Sequence, residues 1–500
     1  MTTTQKERGV GKAVKWAYIM NGGQSGLTAL FTFVLASVLG PRDFGTVAMA
    51  LVYLALIQVF LEQGLVATLI QRKDLRDDHL DSVFWMGLSL SLFLMGLSVG
   101  LSRWWASVNH LPELALVISA LSLLLPIEAL DMVQRAILQR EMDFKSLSVR
   151  TNVGVVVGGV VGLAMAFRGF GVWALVWQRI IQETVALILL WQMSHWRPRF
   201  RFEVKSIKEL WGISIANLVA RLGVFSSLQS DALVMGMFFG PMAVGLYRLA
   251  DRLINMVLSS ATGSIQSVSL PQFSKFQHEP AKLRESMLTF IRLSAIVTVP
   301  AMVGLAAVGE PLTRMLGNNW GQSATALKIL SVFGIVMAFQ YLIGPLLQAI
   351  SKPHYAAAMT WGHGLISVVT LAGAAIVLKN ATVDRQVIGI ALARVAVAIL
   401  FFVPIVFYFL IKTCQISIRQ FVVTVTPSFL AAFAGAAAVF GVHATGWHPA
   451  ATVVVLAVDV TAGAIAASGV LLALDSELRL LVSSYASRLM NPKELDTVVS

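Results

Sequence analysis

Between Phe421 and Val458 the chain runs for 38 residues without one Asp, Glu, Lys or Arg. Further charge-free runs stand at Phe44–Leu61, Val83–Ser102, Leu293–Gly309 and Pro353–Leu378. About 20 largely apolar residues suffice to cross the hydrocarbon core of a bilayer. The longest run therefore holds two crossings, and Gly446-Trp447-His448-Pro449 interrupts it where a turn is needed. In lipid every backbone N–H and C=O must be satisfied within the protein, which leaves helices or a closed barrel. Barrel strands alternate apolar and polar residues over about ten positions. These runs are apolar throughout, so they read as helices. Only 13% of all residues are charged, against roughly 25% in a soluble globular chain. The fold class expected is an all-α integral membrane protein, with no soluble domain.

The runs and the breaks between them divide the chain into fourteen spans: 16–39, 44–70, 82–102, 112–134, 149–167, 171–193, 210–238, 243–271, 288–309, 324–350, 354–378, 386–411, 421–442 and 450–474. The basic residues alternate with them. The N-terminus, the even-numbered loops and the C-terminus hold 26 of the 38 Lys and Arg. By the positive-inside rule those segments are cytoplasmic, so both termini face the cytoplasm, as an even number of spans requires.

Several classes of function drop out. A net charge of +12 would suit a nucleic-acid partner, but the basic residues sit in short loops between apolar spans, so none is expected. The single cysteine, Cys414, forms no internal disulfide, and the eight histidines make no metal-ligand constellation. No Gly-x-x-x-x-Gly-Lys-[Ser/Thr] loop occurs, so no ATP hydrolysis and no cofactor are expected. Lys6, Arg8, Lys12 and Lys15 precede a span containing Asn21, Gly22, Gly23 and Gln24 with no small-residue cleavage site, so no cleavable signal peptide is expected.

The chain repeats itself at an offset of 200 residues. Leu39-Gly-Pro-Arg-Asp-Phe-Gly-Thr-Val-Ala-Met-Ala50 lies over Phe239-Gly-Pro-Met-Ala-Val-Gly-Leu-Tyr-Arg-Leu-Ala250, with Gly40/Gly240, Pro41/Pro241, Gly45/Gly245 and Ala50/Ala250 identical. Each copy joins the first two spans of a half, where Gly-Pro ends one helix and admits the next. Both copies start on the cytoplasmic side, so the repeat is parallel, about an axis along the membrane normal. Two similar hairpin turns would leave the same trace. Related halves are a recurring transporter design, with the substrate site at their interface.

Gly40-Pro-Arg-Asp-Phe-Gly-Thr-Val, Gln71-Arg-Lys-Asp-Leu, Gln139-Arg-Glu-Met-Asp-Phe-Lys and Gly169-Phe-Gly-Val-Trp-Ala-Leu-Val together resemble the polysaccharide transporter (Wzx/WzxC-type) family. Its members are lipid-linked oligosaccharide flippases of the multidrug/oligosaccharidyl-lipid/polysaccharide exporter superfamily. The resemblance covers the first 200 residues and the second copy of the repeat. It implies two pseudo-symmetric six-helix bundles, 1–200 and 201–415, around a central cavity, with two additional helices and a cytoplasmic tail in 416–500. The implied substrate is an undecaprenyl-diphosphate-linked repeat unit, carried across the bacterial inner membrane for surface or exopolysaccharide synthesis. Membrane lipids and the polysaccharide polymerase and export machinery are the implied partners.

A charge at the bilayer centre costs roughly 2.5–3.5 kcal/mol on insertion scales, so each one inside a span points to function. In span 7, Ser214, Asn217, Arg221 and Asp231 recur at helical spacing on one face, and such a face looks at water rather than lipid. Arg221 suits a diphosphate, since guanidinium matches phosphate oxygens; an internal ion pair with Asp251 is the alternative. In span 8, Arg248 and Arg252 lie one turn apart and face one way. They read as a second cationic patch or as arginines reaching for the interface. Arg394 in span 12, with Asn21 and Gln24 in span 1, completes the candidate substrate-binding set. Glu62 and Asp251 are the candidate coupling carboxylates, because burial raises a carboxyl pKa. Arg179 and Glu183, spaced i,i+4, read as a structural pair. Glu128 and Asp131 approach the cytoplasmic surface near Arg135, and Asp459 stands alone in the last two spans.

Two other readings stay open beside the flippase. A membrane glycosyltransferase or ligase needs acid and base groups in a sizeable outer loop, whereas loops 310–323 and 379–385 are short and offer only Glu310 and Asp384. A drug/cation antiporter of the same superfamily carries an acid in its first span, and span 1 has none.

Overall fold

The computed structural model describes residues 3–62, 69, 76–201, 203–445, 452–475 and 478–479; side chains of most of 3–21, of 62, of 204–217 and of 264 lie outside that description. The described residues are almost all helical and contain no strand. Among the described residues fourteen long helices stand in order: α1 Thr3–Val38, α2 Pro41–Glu62, α3 Asp77–Val108, α4 Glu113–Arg140, α5 Phe144–Phe167, α6 Val172–Met193, α7 Val204–Phe239, α8 Pro241–Lys275, α9 Pro280–Ala307, α10 Ser323–Ala349, α11 Pro353–Leu378, α12 Val383–Lys412, α13 Ile418–Ala444 and α14 Thr452–Leu474. They match the fourteen expected spans one for one. Twelve contain an apolar stretch long enough to cross a membrane. The other two are α1, which has a shorter apolar stretch, Gly22–Val38, among its described side chains, and α8, which carries Arg248, Asp251, Arg252 and a row of hydroxyls and amides.

Local chemistry sets the helix ends. α2 and α8 both begin on the proline of a Gly-Pro pair, where the missing N–H costs nothing. Gly240 sits at φ 84°, ψ −179°, a conformation closed to side chains bearing a Cβ. Ser417 and Gln420 cap α13 reciprocally: the Gln420 N–H donates to Ser417 Oγ at 3.3 Å, and the Ser417 N–H to Gln420 Oε1 at 3.0 Å. α12 is interrupted by a π turn at Ala398–Phe402. Pro404 follows within the turn and offers no N–H to the preceding carbonyls, a common cause of such a break.

The chain forms two compact units. The first comprises Met1–Leu249 with Ala357–Ala393, the second Ala250–Ala356 with Arg394–Ser500. In the first, α5 lies between α1 and α6. Gly154, Gly158 and Gly162 recur every four residues along α5, and a Cβ at either of the first two would come within 2.6 Å of a carbonyl oxygen of α6. Association in lipid relies on such close approach of small residues. Leu80, Val83 and Phe84 of α3 pack on Met132, Val133 and Ala136 of α4, with Trp191 and Trp196 against them. The segment joining α6 to α7 is clamped to α3: the Arg199 N–H donates to Asp81 Oδ1 at 2.9 Å, and the Glu203 N–H to Ser82 Oγ at 3.0 Å.

In the second unit, α9 packs on α10 and α13, and α13 pairs with α14 as a hairpin. Arg292 of α9 makes a two-pronged ion pair with Asp475, just beyond α14, its Nε at 2.7 Å from Oδ2. Asp475 also accepts from the Leu478 N–H at 2.9 Å. Asp459 does not stand alone, as its own span suggested. Its Oδ2 lies 2.9 Å from His443 Nε2. The hairpin turn places those two positions opposite one another, a relationship that periodicity within a single span does not carry.

Candidate functional site

The side chains of α7 are described from Leu218 onward, and Gln229 and Asp231 among them are paired. Asp231 is buried and accepts from the Tyr247 hydroxyl of α8 at 2.8 Å, while its other oxygen accepts the Ala232 N–H at 2.8 Å. Arg248 donates to Gln229 Oε1. The Tyr247–Asp231 and Arg248–Gln229 bonds join α7 to the first turns of α8 across the Gly240-Pro241 turn. Arg221, two to three turns before Asp231, is exposed, and so is Arg252, one turn beyond Arg248. Asn217 and Asn21 lie outside the described side chains, as does the Glu62 carboxylate; Gln24 is half-buried on α1.

Asp251 and Arg394 form a buried pair in the second unit. Arg394 Nη1 donates to Asp251 Oδ1 at 2.7 Å, and both residues are less than 9% exposed. Asn255 Nδ2 donates to the same carboxylate oxygen at 2.9 Å. The Arg394 guanidinium stands 4.2 Å from the ring centroid of Phe333, a cation–π arrangement that is strongest away from water. Arg394 lies one turn before the π turn of α12. The two candidates thus meet each other: a substrate-binding arginine and a coupling carboxylate form one neutralised pair. Asp251 is therefore engaged with α12, one helix that the spacing of α8 alone does not single out.

Other intramembrane charges are also paired. Arg179 Nη1 lies 3.0 Å from Glu183 Oε1 on α6. Asp131 binds Arg150 of α5 and lies 3.4 Å from Arg135 Nε. Glu128 accepts from Gln58 Nε2 at 2.9 Å. Among the described residues no group of three or more His, Cys, Asp or Glu is placed to hold a metal ion.

Residues that the reading by spans did not single out include Tyr247 and His363. Tyr247 falls in the repeat, opposite Val47 of the first copy, and a phenol beside two arginines on a polar helix was a readable signal. His363 is buried on α11, with Ser227 Oγ 2.6 Å from its Nδ1 and Ser367 Oγ 3.3 Å from its Nε2. Its own helix holds no Asp, Glu, Lys or Arg, so nothing near it in sequence marks it.

The family model described as "Polysaccharide biosynthesis protein" matches residues 34–325, which take in both copies of the Gly-Pro repeat and the whole of α7 and α8. The chain belongs to the polysaccharide biosynthesis protein family. The succinoglycan biosynthesis transport protein ExoT of Rhizobium meliloti (strain 1021) is 27% identical over 334 residues, 66% of this chain and 67% of that protein. The teichuronic acid biosynthesis protein TuaB of Bacillus subtilis (strain 168) is 25% identical over 313 residues, 62% of this chain and 64% of that one. The alignments thus span about two thirds of each relative. The fold is that of the lipid II flippase MurJ in its inward closed conformation: TM-score 0.72 at 14% identity, over 93% of this chain and 99% of that one. Helices α13 and α14 lie outside the matched residues of this polysaccharide biosynthesis protein.

Proposed function

We propose that this protein is a flippase that moves an undecaprenyl-diphosphate-linked oligosaccharide repeat unit from the cytoplasmic to the periplasmic face of the bacterial inner membrane. The two halves, 1–200 and 201–415, would rock about a central polar cavity, with 416–500 as an appended hairpin and tail. Both termini would face the cytoplasm. The lipid tail would stay in the bilayer while the charged head passes through the cavity.

The observation that carries this reading is α8. A helix of 35 residues that carries Arg248, Asp251 and Arg252, and is not among the apolar spans found in the described residues, is suited to facing water within a membrane protein. Arg252 of α8 is exposed, and so, in the other unit, is Arg221 of α7; each is a cationic group suited to a diphosphate. Guanidinium binds phosphate oxygens through paired, charge-assisted hydrogen bonds. The polysaccharide transport role named for ExoT and the lipid substrate named for MurJ support the same reading.

The test is a deletion strain. Loss of a flippase leaves completed lipid-linked repeat units on the cytoplasmic leaflet and stops surface polysaccharide. A deletion strain with normal surface polysaccharide and no accumulated intermediate would contradict the assignment.

A further inference from the structure

In the first unit, Leu130 of α4, four side chains of α6 (Leu187, Ile188, Trp191 and Gln192) and Arg197 just beyond it line a groove of about 520 Å3. Sites for small ligands usually run from about 300 to 1,000 Å3. Ile188 is 51% exposed, so the groove opens sideways to whatever surrounds the helices. Its floor is fixed, since the Trp191 ring N–H donates to the Leu130 carbonyl at 3.2 Å and ties α6 to α4.

The groove is graded along α6. That helix ends at Met193. Leu187 and Ile188 stand five to six residues before the end, about 7–9 Å along the axis. Indole rings collect at the boundary between hydrocarbon and water. Trp191 and Trp196 therefore put that boundary at the end of α6. The leucine and isoleucine lie below it, in hydrocarbon, and Arg197 lies at headgroup level.

Arg197 is a fixed cation. Its Nη1 donates to the Ser194 and Trp196 carbonyls at 2.6 and 2.8 Å, and its Nη2 to the Trp191 carbonyl at 2.8 Å. The guanidinium carbon stands 5.6 Å from the centre of the Trp191 ring. Neutral carbonyls and a ring orient the side chain without cancelling its charge. A guanidinium has five N–H donors, and three are used here. Among the described residues Arg197 meets no carboxylate. The next two arginines do: Arg199 lies 3.9 Å from Asp77 and Arg201 3.5 Å from Asp78.

An oriented, uncompensated cation at headgroup level, with an apolar groove running from it into the hydrocarbon, is complementary to a lipid whose head is anionic. The spare N–H groups suit phosphate oxygens, and Ile188, Leu187 and Leu130 suit one acyl chain. A zwitterionic head brings its own cation to the phosphate and gains less from Arg197. A soluble phosphate would leave the groove unfilled. Glycerophospholipids make up most of the surrounding bilayer, so by mass action they are the lipids that fill it.

We propose that the groove between Leu130 and Arg197 is a binding site for one anionic glycerophospholipid, its phosphate on Arg197 and one acyl chain along Ile188 and Leu187. The site does not depend on what the protein transports.

Native mass spectrometry of the full-length protein in mild detergent tests it, with dioleoyl phosphatidylglycerol or dioleoyl phosphatidylcholine added in steps. The first phosphatidylglycerol should bind about fivefold more tightly than the first phosphatidylcholine, the usual worth of one basic residue at an anionic lipid surface. Arg197→Gln should abolish that preference, whereas Arg199→Gln, which removes an arginine already paired, should keep it. Arg197 also caps α6, so a second variant leaves it in place. Ile188→Trp fills the groove and should weaken binding of both lipids. A phosphatidylglycerol with a photoreactive group in its chain should label wild-type peptides of α4 and α6 at the groove, and not those of Ile188→Trp. Equal affinity for the two lipids, or an equal loss from Arg197→Gln and Arg199→Gln, would overturn the site. So would displacement of the bound phosphatidylglycerol by equimolar undecaprenyl phosphate, which would make the groove a seat for a prenyl chain.

Discussion

Gly45 and Gly245, 200 residues apart, are reciprocal contacts: a Cβ on Gly45 would run into the Pro241 carbonyl, and a Cβ on Gly245 into the Pro41 carbonyl. The same hypothetical atoms would lie 2.9 Å from the Gly245 amide nitrogen and 3.1 Å from the Gly45 amide nitrogen. The two copies of the repeat therefore meet each other about a local twofold relation. Two unrelated hairpin turns would have no reason to do so. Backbone cannot move aside as a flexible side chain can. Gly45→Ala and Gly245→Ala should each lower stability by about 1–3 kcal/mol, the usual cost of overpacking, and by similar amounts. Gly96→Ala on α3, where nothing stands within 4 Å, should be neutral or slightly stabilising. Thermal unfolding of the detergent-purified variants measures all three.

The Asp251–Arg394 pair should behave as a buried ion pair. Removing one partner strands a charge away from water and costs about 3–5 kcal/mol. Asp251→Asn and Arg394→Gln should each destabilise by that order, and the double variant should recover much of the loss. A double-mutant cycle on unfolding temperature, converted to free energy, gives the coupling. Additive effects would mean that the pair is not coupled.

Arg292 and Asp475 should tie the appended hairpin to α9. Asp475 is almost wholly buried as a side chain, and both of its oxygens are engaged. Asp475→Asn should raise the rate of proteolysis within 445–500 several-fold while leaving cleavage elsewhere unchanged. Limited proteolysis with mass spectrometry reads this directly.

Cys414 lies in the loop between α12 and α13, is fully buried, and has its thiol pushed by burial from 9.0 up to about 12. The thiolate is the reactive form, so maleimide at pH 8 should label the folded protein far more slowly than the protein in denaturant. The sign for stability follows. A group whose folded pKa is raised holds its proton more tightly when folded, so its contribution is complete below about 9 and is lost as pH rises from there towards about 12. Labelling time courses with and without denaturant check the first part.

The number and place of the helices were legible, because a charge-free run of the right length has few alternatives in lipid. Phe421–Val458 and its Gly-Trp-His-Pro break became α13 and α14 with the turn between them outside the described residues. The types of residue at the site were partly legible, as with Arg221 and Arg248 on polar helices. Partner choice was not. Asp251 could have met Arg221, Arg248 or Arg252 by proximity in sequence, and it meets Arg394, 143 positions away. Ser227 meets His363 across 136 positions. Spacing within one helix shows which way a side chain faces, but not which helix stands opposite. In a chain of many packed helices that second choice depends on packing between elements far apart in sequence.

The measurement closest to the central claim is translocation itself. Full-length protein is reconstituted into liposomes with undecaprenyl-diphosphate-linked oligosaccharide, and access of an external glycosidase to lipid initially in the inner leaflet is followed over time. Translocation should be protein-dependent. The Arg221→Ala/Arg252→Ala variant should slow it by about tenfold or more, equivalent to about 1.4 kcal/mol or more of lost interaction with the diphosphate. Leaflet exchange no faster than in protein-free liposomes would contradict the account.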